Sequence, residues 1–289
     1  MDPSFRSFAD DCPDAIVVTD AQGTIEYVNR AFEAMTGYSS AELLGRTPAL
    51  LKSGMHEADF YRRLWATLLA GGEFRAVFTN RRKTGELYHE DKVIRPLQGA
   101  LGWEGFVSFG RDATERAAET AKLRHAATHD SLTDLPNRNL FLDRLGQALR
   151  QAARRNEELT VAIVDLDNFR DVNTRYGHLG GDVVLQAVAS RTAGCVRDSD
   201  TVARIGGDEF ALILTGAGEH SAAAALEKVV AASSEPIALD DQAIRITVSV
   251  GASSYPRDAL RDDELRKHAD QAMYEAKGTG GNRMRFYGS

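Results

Sequence analysis

The sequence predicts two domains joined by a helix: an α+β domain with an antiparallel sheet, followed by an α/β domain. Three observations support this division. The chain has 289 residues, which corresponds to about two domains at roughly 100–200 residues each. Residues 113–128 contain no glycine or proline and are rich in helix-forming residues. Before this segment several β-rich runs follow one another, whereas after it amphipathic helices alternate with short apolar runs.

The first domain, residues 1–112, is predicted from β-rich runs mixed with short helices. The longest helix carries Phe60, Leu64 and Leu68 at helical spacing and stops before Gly71-Gly72. Three strands after it form an antiparallel meander. The predicted strands cover residues 15–19, 24–28, 74–80, 87–95 and 103–110, and a short helix covers 29–36.

Residues 113–128 are predicted to be a linker helix. Its apolar positions, mostly alanine, fit both a plain linker and a helix that pairs with its copy in a dimer. The second domain, residues 129–289, follows as an α/β sandwich. Its predicted helices cover residues 139–155, 181–193, 219–232 and 262–277, and its predicted strands cover 159–165, 201–205, 210–214 and 243–249.

The composition is that of an ordinary globular protein, with 43% hydrophobic and 27% charged residues. The net charge of −7 is spread over both halves, so we expect no footprint for nucleic acid. The chain contains no run of about 20 apolar residues and no apolar signal segment at its start, so we expect neither a membrane segment nor export. Cys12 and Cys195 lie far apart, which favours a cytoplasmic location over a disulfide framework or a zinc cluster.

Three acidic residues are predicted to meet at one edge of the second sheet. Asp165 ends an apolar run typical of a buried strand, and Asp208 and Glu209 follow Gly206-Gly207. A two-residue hairpin turn needs positive φ, which glycine supplies without steric cost, and it would present Asp208 beside a neighbouring strand. Adjacent carboxylates repel each other unless a cation neutralises them. Such oxygen ligands suit Mg²⁺, which commonly takes one or two carboxylates plus substrate phosphates.

A cation, an amide and an acid follow the first of these carboxylates. We interpret Arg170, Asn173 and Asp182 as parts of a nucleotide-binding loop. The cation and the metal would neutralise phosphates, and the amide and the acid would hydrogen-bond to a base edge. Asp182 suits the N1–H and the N2 amine of guanine, although spacing alone leaves the base open.

Four ordered motifs resemble the GGDEF-domain diguanylate cyclases over about residues 128–287. They are Asp130–Arg138, Asp165–Asp182, Arg204–Phe210 and Ala269–Lys277. The resemblance implies an α/β, nucleotidyl-cyclase-like fold that condenses two molecules of GTP into cyclic di-GMP and releases two pyrophosphates. Because each domain would hold one GTP, it also implies a homodimer formed through the linker helix and the first domain.

The resemblance also implies a role for each candidate site residue. Asp165, Asp208 and the backbone carbonyl of Leu166 would bind metal, with two Mg²⁺ per site, or Mn²⁺ instead. Asp208 would accept the proton of the attacking 3′-hydroxyl, with Glu209 and Arg170 as the other catalytic residues. The substrate contacts would be Phe169, Asn173, His178, Asp182, Gly206, Gly207 and Lys277. Arg197 and Asp200 resemble the family's RxxD product-inhibition site.

Three positions depart from the family pattern. Arg170 stands where lysine is usual, Asp134 where glycine is frequent, and Gly281 where a second phosphate-binding arginine or lysine is common. The last departure keeps an alternative open, namely a catalytically weak receptor that binds GTP or cyclic di-GMP. A further alternative is a scaffold that acts through its first domain.

Residues 8–118 resemble a PAS sensor domain. The motifs that carry this resemblance are Asp14–Asp20, Gly23–Phe32, Thr36–Tyr38, Glu42–Gly45, Asn80–Gly85 and Gly110–Arg116. The resemblance implies regulation of the second domain by the first and does not identify a ligand. Trp65 and the segment from Asn80 to Tyr88 resemble some FAD-binding PAS domains, and His56 and His89 leave heme open, so the PAS ligand is unknown at this stage.

Overall fold

The computed structural model describes residues 3–99, 102–239 and 242–289. The chain divides into two compact units, Met1–Lys122 and Leu123–Ser289. Among the residues described, no helix combines the length and the apolar character needed to cross a bilayer.

The first unit is a five-stranded antiparallel sheet with helices, as predicted. Its strands are β1 (Ala15–Thr19), β2 (Ile25–Val28), β3 (Phe74–Arg81), β4 (Leu87–Gly99) and β5 (Gly102–Asp112). They lie in the sheet in the order β2-β1-β5-β4-β3. Its helices are α1 (Pro3–Asp10), α2 (Arg30–Thr36), α3 (Ser40–Leu43), α4 (Ala58–Leu69) and a 3-10 helix at Pro48–Leu51. The predicted loop near Gly99–Gly102 includes residues 100 and 101, which lie outside the described residues.

One buried amide fixes the start of this unit. The Asn29 side chain accepts hydrogen bonds from the backbone N–H groups of Ile16 (2.8 Å) and Phe32 (3.0 Å). It donates to the backbone carbonyls of Ala9 and Asp14, both at 2.8 Å. Asn29 therefore caps α2 and ties together α1, β1 and β2, and all its polar atoms are satisfied although the residue is fully buried.

The second unit is an α/β sandwich around a second five-stranded sheet. Helix α5 (Thr114–Thr128) contains the boundary between the units. The other helices are α6 (Arg138–Arg155), α7 (Phe169–Gly194), α8 (Glu219–Ser233) and α9 (Asp262–Gly278). The strands are β6 (Leu159–Leu166), β7 (Thr201–Arg204), β8 (Glu209–Thr215), β9 (Ile237–Leu239), β10 (Gln242–Ile244), β11 (Val248–Tyr255) and β12 (Arg283–Phe286). The sheet order is β12-β11-β6-β8-β7, and β9 pairs with β10 separately.

Strand β6 is buried along its whole length because helices cover both faces of this sheet. Its side chains alternate between two cores. Ala162 and Val164 pack with residues of α7 and α8, whereas Val161 and Ile163 pack with residues of α6 and α9. The apolar run that predicts this strand therefore reflects burial on both faces.

Two predicted elements are wrong. The helix placed over 181–193 in fact begins at Phe169, with a break in helical geometry at Gly177 (φ 72°, ψ 174°). The strand placed over 243–249 is two separate strands, β10 and β11. Strands β9 and β12 were not predicted, because each has only three or four residues and its pattern is too short to recognise.

Candidate active site

Strand register brings the three predicted carboxylates together. Asp165 in β6 lies opposite Glu209 in β8. One residue further along, the backbone N–H of Leu166 donates to the carbonyl of Asp208 at 3.3 Å. Antiparallel pairing of the two central strands thus places Asp165, Asp208 and Glu209 at one end of the sheet.

The loop that carries Asp208 differs from the predicted two-residue turn. Strands β7 and β8 pair as far as Arg204 opposite Phe210, which leaves residues 205–208 as the loop. Neither Gly206 nor Gly207 has positive φ, so the predicted reason for these glycines is wrong. A Cβ on Gly206 would lie 2.8 Å from Glu209 Oε2, and a Cβ on Gly207 would meet nothing within 4 Å. Gly206 makes room for an acidic side chain, and Gly207 leaves open space above the loop.

Arg204 holds this loop in place. Its guanidinium donates to the carbonyl of Gly207 through Nη2 (2.7 Å) and Nε (3.2 Å), and to Asp130 Oδ1 through Nη1 (2.9 Å). Burial acts to raise the pKa of Asp130, but hydrogen bonds from Thr133 and Arg204 outweigh it and lower that pKa. The charged pair links the opening segment of the domain to the hairpin. Neither Arg204 nor Asp130 was expected from the sequence to have this role.

Two carboxyls of the acidic cluster, those of Asp165 and Glu209, have raised pKa values. Only 7% of Asp165 is exposed, and this burial, together with the charges of Asp208 and Asp167, raises the pKa of its carboxyl despite an opposing ion pair with Lys277. Burial and the charges of Asp165 and Asp270 raise the pKa of Glu209. The cluster therefore has more negative charge than its surroundings stabilise, which favours binding of a cation.

The donor set fits a magnesium ion. Asp165 Oδ1 is buried and has the ion pair with Lys277 but no hydrogen bond of good geometry. Among the described residues, no three His, Cys, Asp or Glu side chains approach closely enough to hold a metal by themselves. Mg²⁺ typically takes few protein carboxylates and completes its shell with water and phosphate oxygens. Asp165 and Asp208 could hold it in this way.

Asp167 is a structural residue of the site that sequence analysis missed. Its carboxylate accepts hydrogen bonds from the hydroxyls of Thr247 (2.6 Å) and Ser249 (2.7 Å) and from the backbone N–H of Asn282 (2.9 Å). Gly281 lies against the same carboxylate and has φ of +68°, and a Cβ there would lie 2.8 Å from Asp167 Oδ2. The departure from the family pattern at Gly281 therefore has a steric and conformational reason in this chain.

The predicted base-binding residues lie on helix α7 and not on a loop. A Cβ on Gly181 would overlap Asn173 Oδ1 and lie 3.2 Å from Phe169 Cζ. The helical turns of α7 before and after the break at Gly177 are therefore in contact at Gly181, and Asp182 is the next residue along the chain. Asn173, Phe169 and Asp182 are half-buried. The remaining predicted contacts on this helix, Arg170 and His178, are exposed, and Lys277 reaches the site from α9.

The RxxD segment forms a tight turn away from the carboxylate cluster. Asp200 accepts hydrogen bonds from the backbone N–H groups of Arg197 (3.1 Å) and Thr215 (3.0 Å). The Arg197 side chain is exposed and borders a cavity of about 290 Å³ that Asp200 and Lys228 also line. Asp200 therefore shapes the turn through its carboxylate, and Arg197 is exposed at the surface of this turn.

In the first unit, the two histidines considered as heme ligands both contact Thr79. His56 Nε2 accepts from the backbone N–H of Thr79 at 2.7 Å, and His89 Nδ1 lies 3.2 Å from its hydroxyl. His56 also stacks on Phe60 with ring centroids 4.2 Å apart. These contacts explain both side chains as structural.

Comparison with known proteins agrees with this geometry. The family described as "Diguanylate cyclase, GGDEF domain" matches residues 127–283, and the PAS fold matches residues 4–113. A bifunctional diguanylate cyclase/cyclic di-GMP phosphodiesterase of Pseudomonas aeruginosa, MucR, is 44% identical over 177 residues, which is 61% of this chain and 26% of that protein. The diguanylate cyclase TpbB of the same species is 43% identical over 161 residues, 55% of this chain and 37% of that protein.

Solved structures give the same result. A structure of the TpbB GGDEF domain superposes with a TM-score of 0.54 at 41% identity and covers 55% of this chain and 94% of that one. The coiled coil and GGDEF domain of DgcB from Caulobacter crescentus, in complex with c-di-GMP, gives 0.54 at 32% identity, covering 60% and 92%. The chain spans only about a quarter to two fifths of the curated relatives MucR and TpbB. It belongs to the GGDEF family of diguanylate cyclase domains, and a PAS domain precedes its GGDEF domain.

Proposed function

We propose that this chain is a diguanylate cyclase that condenses two GTP molecules into cyclic di-GMP with release of two pyrophosphates. The observation that carries the proposal is the meeting of Asp165, Asp208 and Glu209 at the end of β6 and β8, beside Lys277. Phosphoryl transfer depends mainly on charge neutralisation and positioning. The carboxylates would position a cation for this task, and Lys277 adds a positive charge beside them. The names of the matched family and of TpbB support the same activity.

Each residue has a task in this proposal. Asp165, Asp208 and the Leu166 carbonyl would hold Mg²⁺, which when bound neutralises the triphosphate charge. Asp208 would accept the proton of the attacking 3′-hydroxyl, and Glu209, with its raised pKa, supports the metal side of the loop. Lys277 and the exposed Arg170 would contact phosphates. Phe169, Asn173, His178 and Asp182 would hold guanine, and Gly206-Gly207 would lie against the nucleotide.

The decisive experiment compares the full chain with Asp208→Ala in GTP and Mg²⁺. Removal of a group that transfers a proton and contacts the metal lowers turnover by about 10²-fold or more. Glu227→Gln, on an exposed position of α8, is the matched control and should behave as the parent. If the parent binds GTP but forms no dinucleotide, the chain is a receptor. Equal turnover of the parent and Asp208→Ala would reject the proposed role of Asp208.

A homodimer follows from the reaction, because a 3′-hydroxyl held by one domain must reach the α-phosphate held by another. The activity per mole of chain should therefore fall on dilution and recover on concentration. Activity per mole that is independent of protein concentration, in a chain that sediments as a monomer, would contradict this proposal.

We also propose that the product inhibits the enzyme at the Arg197 turn. An arginine fork binds phosphates and guanine edges well, and the cavity beside Arg197 also has the cation Lys228. Arg197→Ala should remove feedback by added cyclic di-GMP, whereas Arg154→Ala, at the exposed end of α6, should keep it. Feedback that persists in Arg197→Ala would discard the assignment. Regulation by the PAS domain is part of the same proposal.

A further inference from the structure

A polar contact joins the last turns of α5 to the segment that follows this helix. His125 Nε2 lies 2.6 Å from Asp134 Oδ1, and the His125 ring stacks on the ring of His129 with centroids 4.1 Å apart. Asp134 has φ of +60°, a conformation in which glycine is least strained. The turn itself therefore does not require an acid. The carboxylate is the feature that this chain adds at a position where glycine is frequent.

The opening segment, residues 130–137, is bound to the end of α5 at a second point. The backbone N–H of Asn137 donates to the carbonyl of Thr128 at 2.8 Å, and its side-chain amide donates to the carbonyl of Ala127 at 2.9 Å. The groups in these two bonds are amides and do not titrate. The contact between the imidazole and the carboxylate is therefore the part of this junction that responds to pH.

The same segment is bonded to the loop that carries Asp208. The backbone N–H of Arg204 donates to the carbonyl of Pro136 at 2.9 Å. The Arg204 guanidinium joins Asp130 Oδ1 (2.9 Å) to the carbonyl of Gly207 (2.7 Å). A series of hydrogen bonds within the second unit thus runs from the end of α5 through the opening segment to the residue before Asp208. A change in how α5 is held can therefore reach the acidic cluster.

The charge of the imidazole decides the strength of the contact. Histidine is the side chain that ordinarily changes charge between pH 5 and 8, and a protonated imidazole forms a charge-assisted pair with a carboxylate. Among the described residues, Asp134 and His129 are the titratable groups in contact with His125. Like charges on the two stacked rings would repel each other, which favours a single proton on the pair. Asp130, the other acid of the opening segment, is already paired with Arg204.

We propose that His125 and Asp134 form a proton-controlled latch between α5 and the opening segment. When His125 is protonated, the latch holds the end of α5 where Arg204 contacts the Gly207 carbonyl. When His125 is neutral, the junction depends on the bonds of Asn137. Both side chains of the latch are more than half exposed, so protonation shifts the junction between held and loosened states by about two- to fivefold. The effect on turnover rests on the function proposed above.

A double-variant cycle tests the latch without reference to activity. The full chain, His125→Gln, Asp134→Asn and the double variant are unfolded in urea at about pH 6 and about pH 8.5, below and above the usual titration of histidine. Asparagine tolerates positive φ, so Asp134→Asn removes the charge and keeps the turn. We expect the two substitutions to be coupled by about two- to fivefold in the unfolding equilibrium constant at the lower pH and uncoupled at the higher pH. No coupling at the lower pH, or equal coupling at both, would overturn the proposal.

Turnover shows whether the latch reaches the site. The rate of cyclic di-GMP formation by Asp134→Asn should be about a half to a fifth of the parental rate at the lower pH and equal to it at the higher pH. Asp143→Asn removes an exposed carboxylate that contacts the neutral Gln147, and His220→Gln removes an exposed imidazole on α8. Both are matched controls and should give the parental rate at both pH values.

The two measurements separate the latch from the proposed function. A rate ratio of Asp134→Asn to parent that does not change with pH would overturn control of the site by the latch. Coupling in the unfolding cycle without any dinucleotide formed by the parent would refute the proposed function instead, because the cycle measures the latch independently of activity.

Discussion

Replacing Gly281 with alanine tests how the turn beside the candidate site is held. Gly281 is buried, and its φ of +68° lies in the left-handed region, where a residue with an L side chain costs about 1–2 kcal/mol. Its Cβ would also lie 2.8 Å from Asp167 Oδ2 and displace that carboxylate. The displacement would weaken the hydrogen bonds from Thr247 and Ser249, and bonds to a charged group contribute roughly 1.5–3 kcal/mol each.

We expect Gly281→Ala to lower the free energy of unfolding of the second domain by about 3 kcal/mol. At roughly 2–4 °C per kcal/mol for a domain of this size, Tm should fall by roughly 6–12 °C. The measurement is thermal unfolding of the full chain, followed by circular dichroism. Gly278→Ala is the matched control, because Gly278 lacks positive φ and a Cβ there would meet nothing within 4 Å. A Gly281→Ala chain as stable as the parent would refute the reasoning.

The acidic cluster, the hairpin and the opening segment give three further predictions. Burial raises the pKa of Asp165 in the folded state, so this carboxyl adds to the free energy of unfolding below its usual pKa of 3.8, and the contribution is lost as pH rises through the folded pKa. Asp165→Asn should flatten this part of a plot of unfolding free energy against pH. A plot identical to that of the parent would contradict the prediction. Arg204→Met removes the hydrogen bonds to Gly207 and Asp130. It should therefore lower the free energy of unfolding in urea by about 2 kcal/mol and also lower turnover. A variant with the unfolding free energy and the turnover of the parent would argue against a positioning role for Arg204. Asp134 has φ of +60°, so Asp134→Val should cost about 1–2 kcal/mol while Asp134→Gly stays near the parent, and equal melting of the two variants would disprove the strain.

The elements that sequence analysis predicted well are those whose burial has a regular period. Helices α6, α8 and α9 each bury one face, and their predicted bounds agree with the structure to within one residue. Strand β6 was predicted from a continuous apolar run, which follows from helices on both sides of the sheet. In these segments the residues that the sequence pattern predicts to be buried are the residues that the tertiary structure buries.

The start of helix α7 was missed because its local sequence contradicts its environment. Residues 170–182 contain three glycines and several exposed charges, which is typical of a loop. The chain nevertheless stays helical on both sides of Gly177. At Gly181 the absence of a side chain makes room for Asn173. Such a fit depends on contacts between successive turns, which a count of helix-breaking residues does not register.

The convergence of Asp165 and Asp208 could be predicted, whereas the network around Asp167 could not. The first follows from two strands that end in acidic residues and pair with each other. The partners of Asp167 are Thr247, Ser249 and Asn282, which lie 80, 82 and 115 residues away along the chain. No spacing in the sequence links them, so only the folded chain shows why a glycine stands at position 281.

The position of Lys277 shows how core packing builds the site. A Cβ on Gly251 in β11 would overlap the backbone of α9 at Ala269 and Met273, so glycine there allows the helix to lie directly on the sheet. Lys277 follows Met273 by one helical turn on the same face. Strand β11 also pairs with β6, next to Asp165. The close approach of α9 therefore sets the distance at which the Lys277 ammonium meets the Asp165 carboxylate, and the charge balance of the site depends on a contact made in the apolar core.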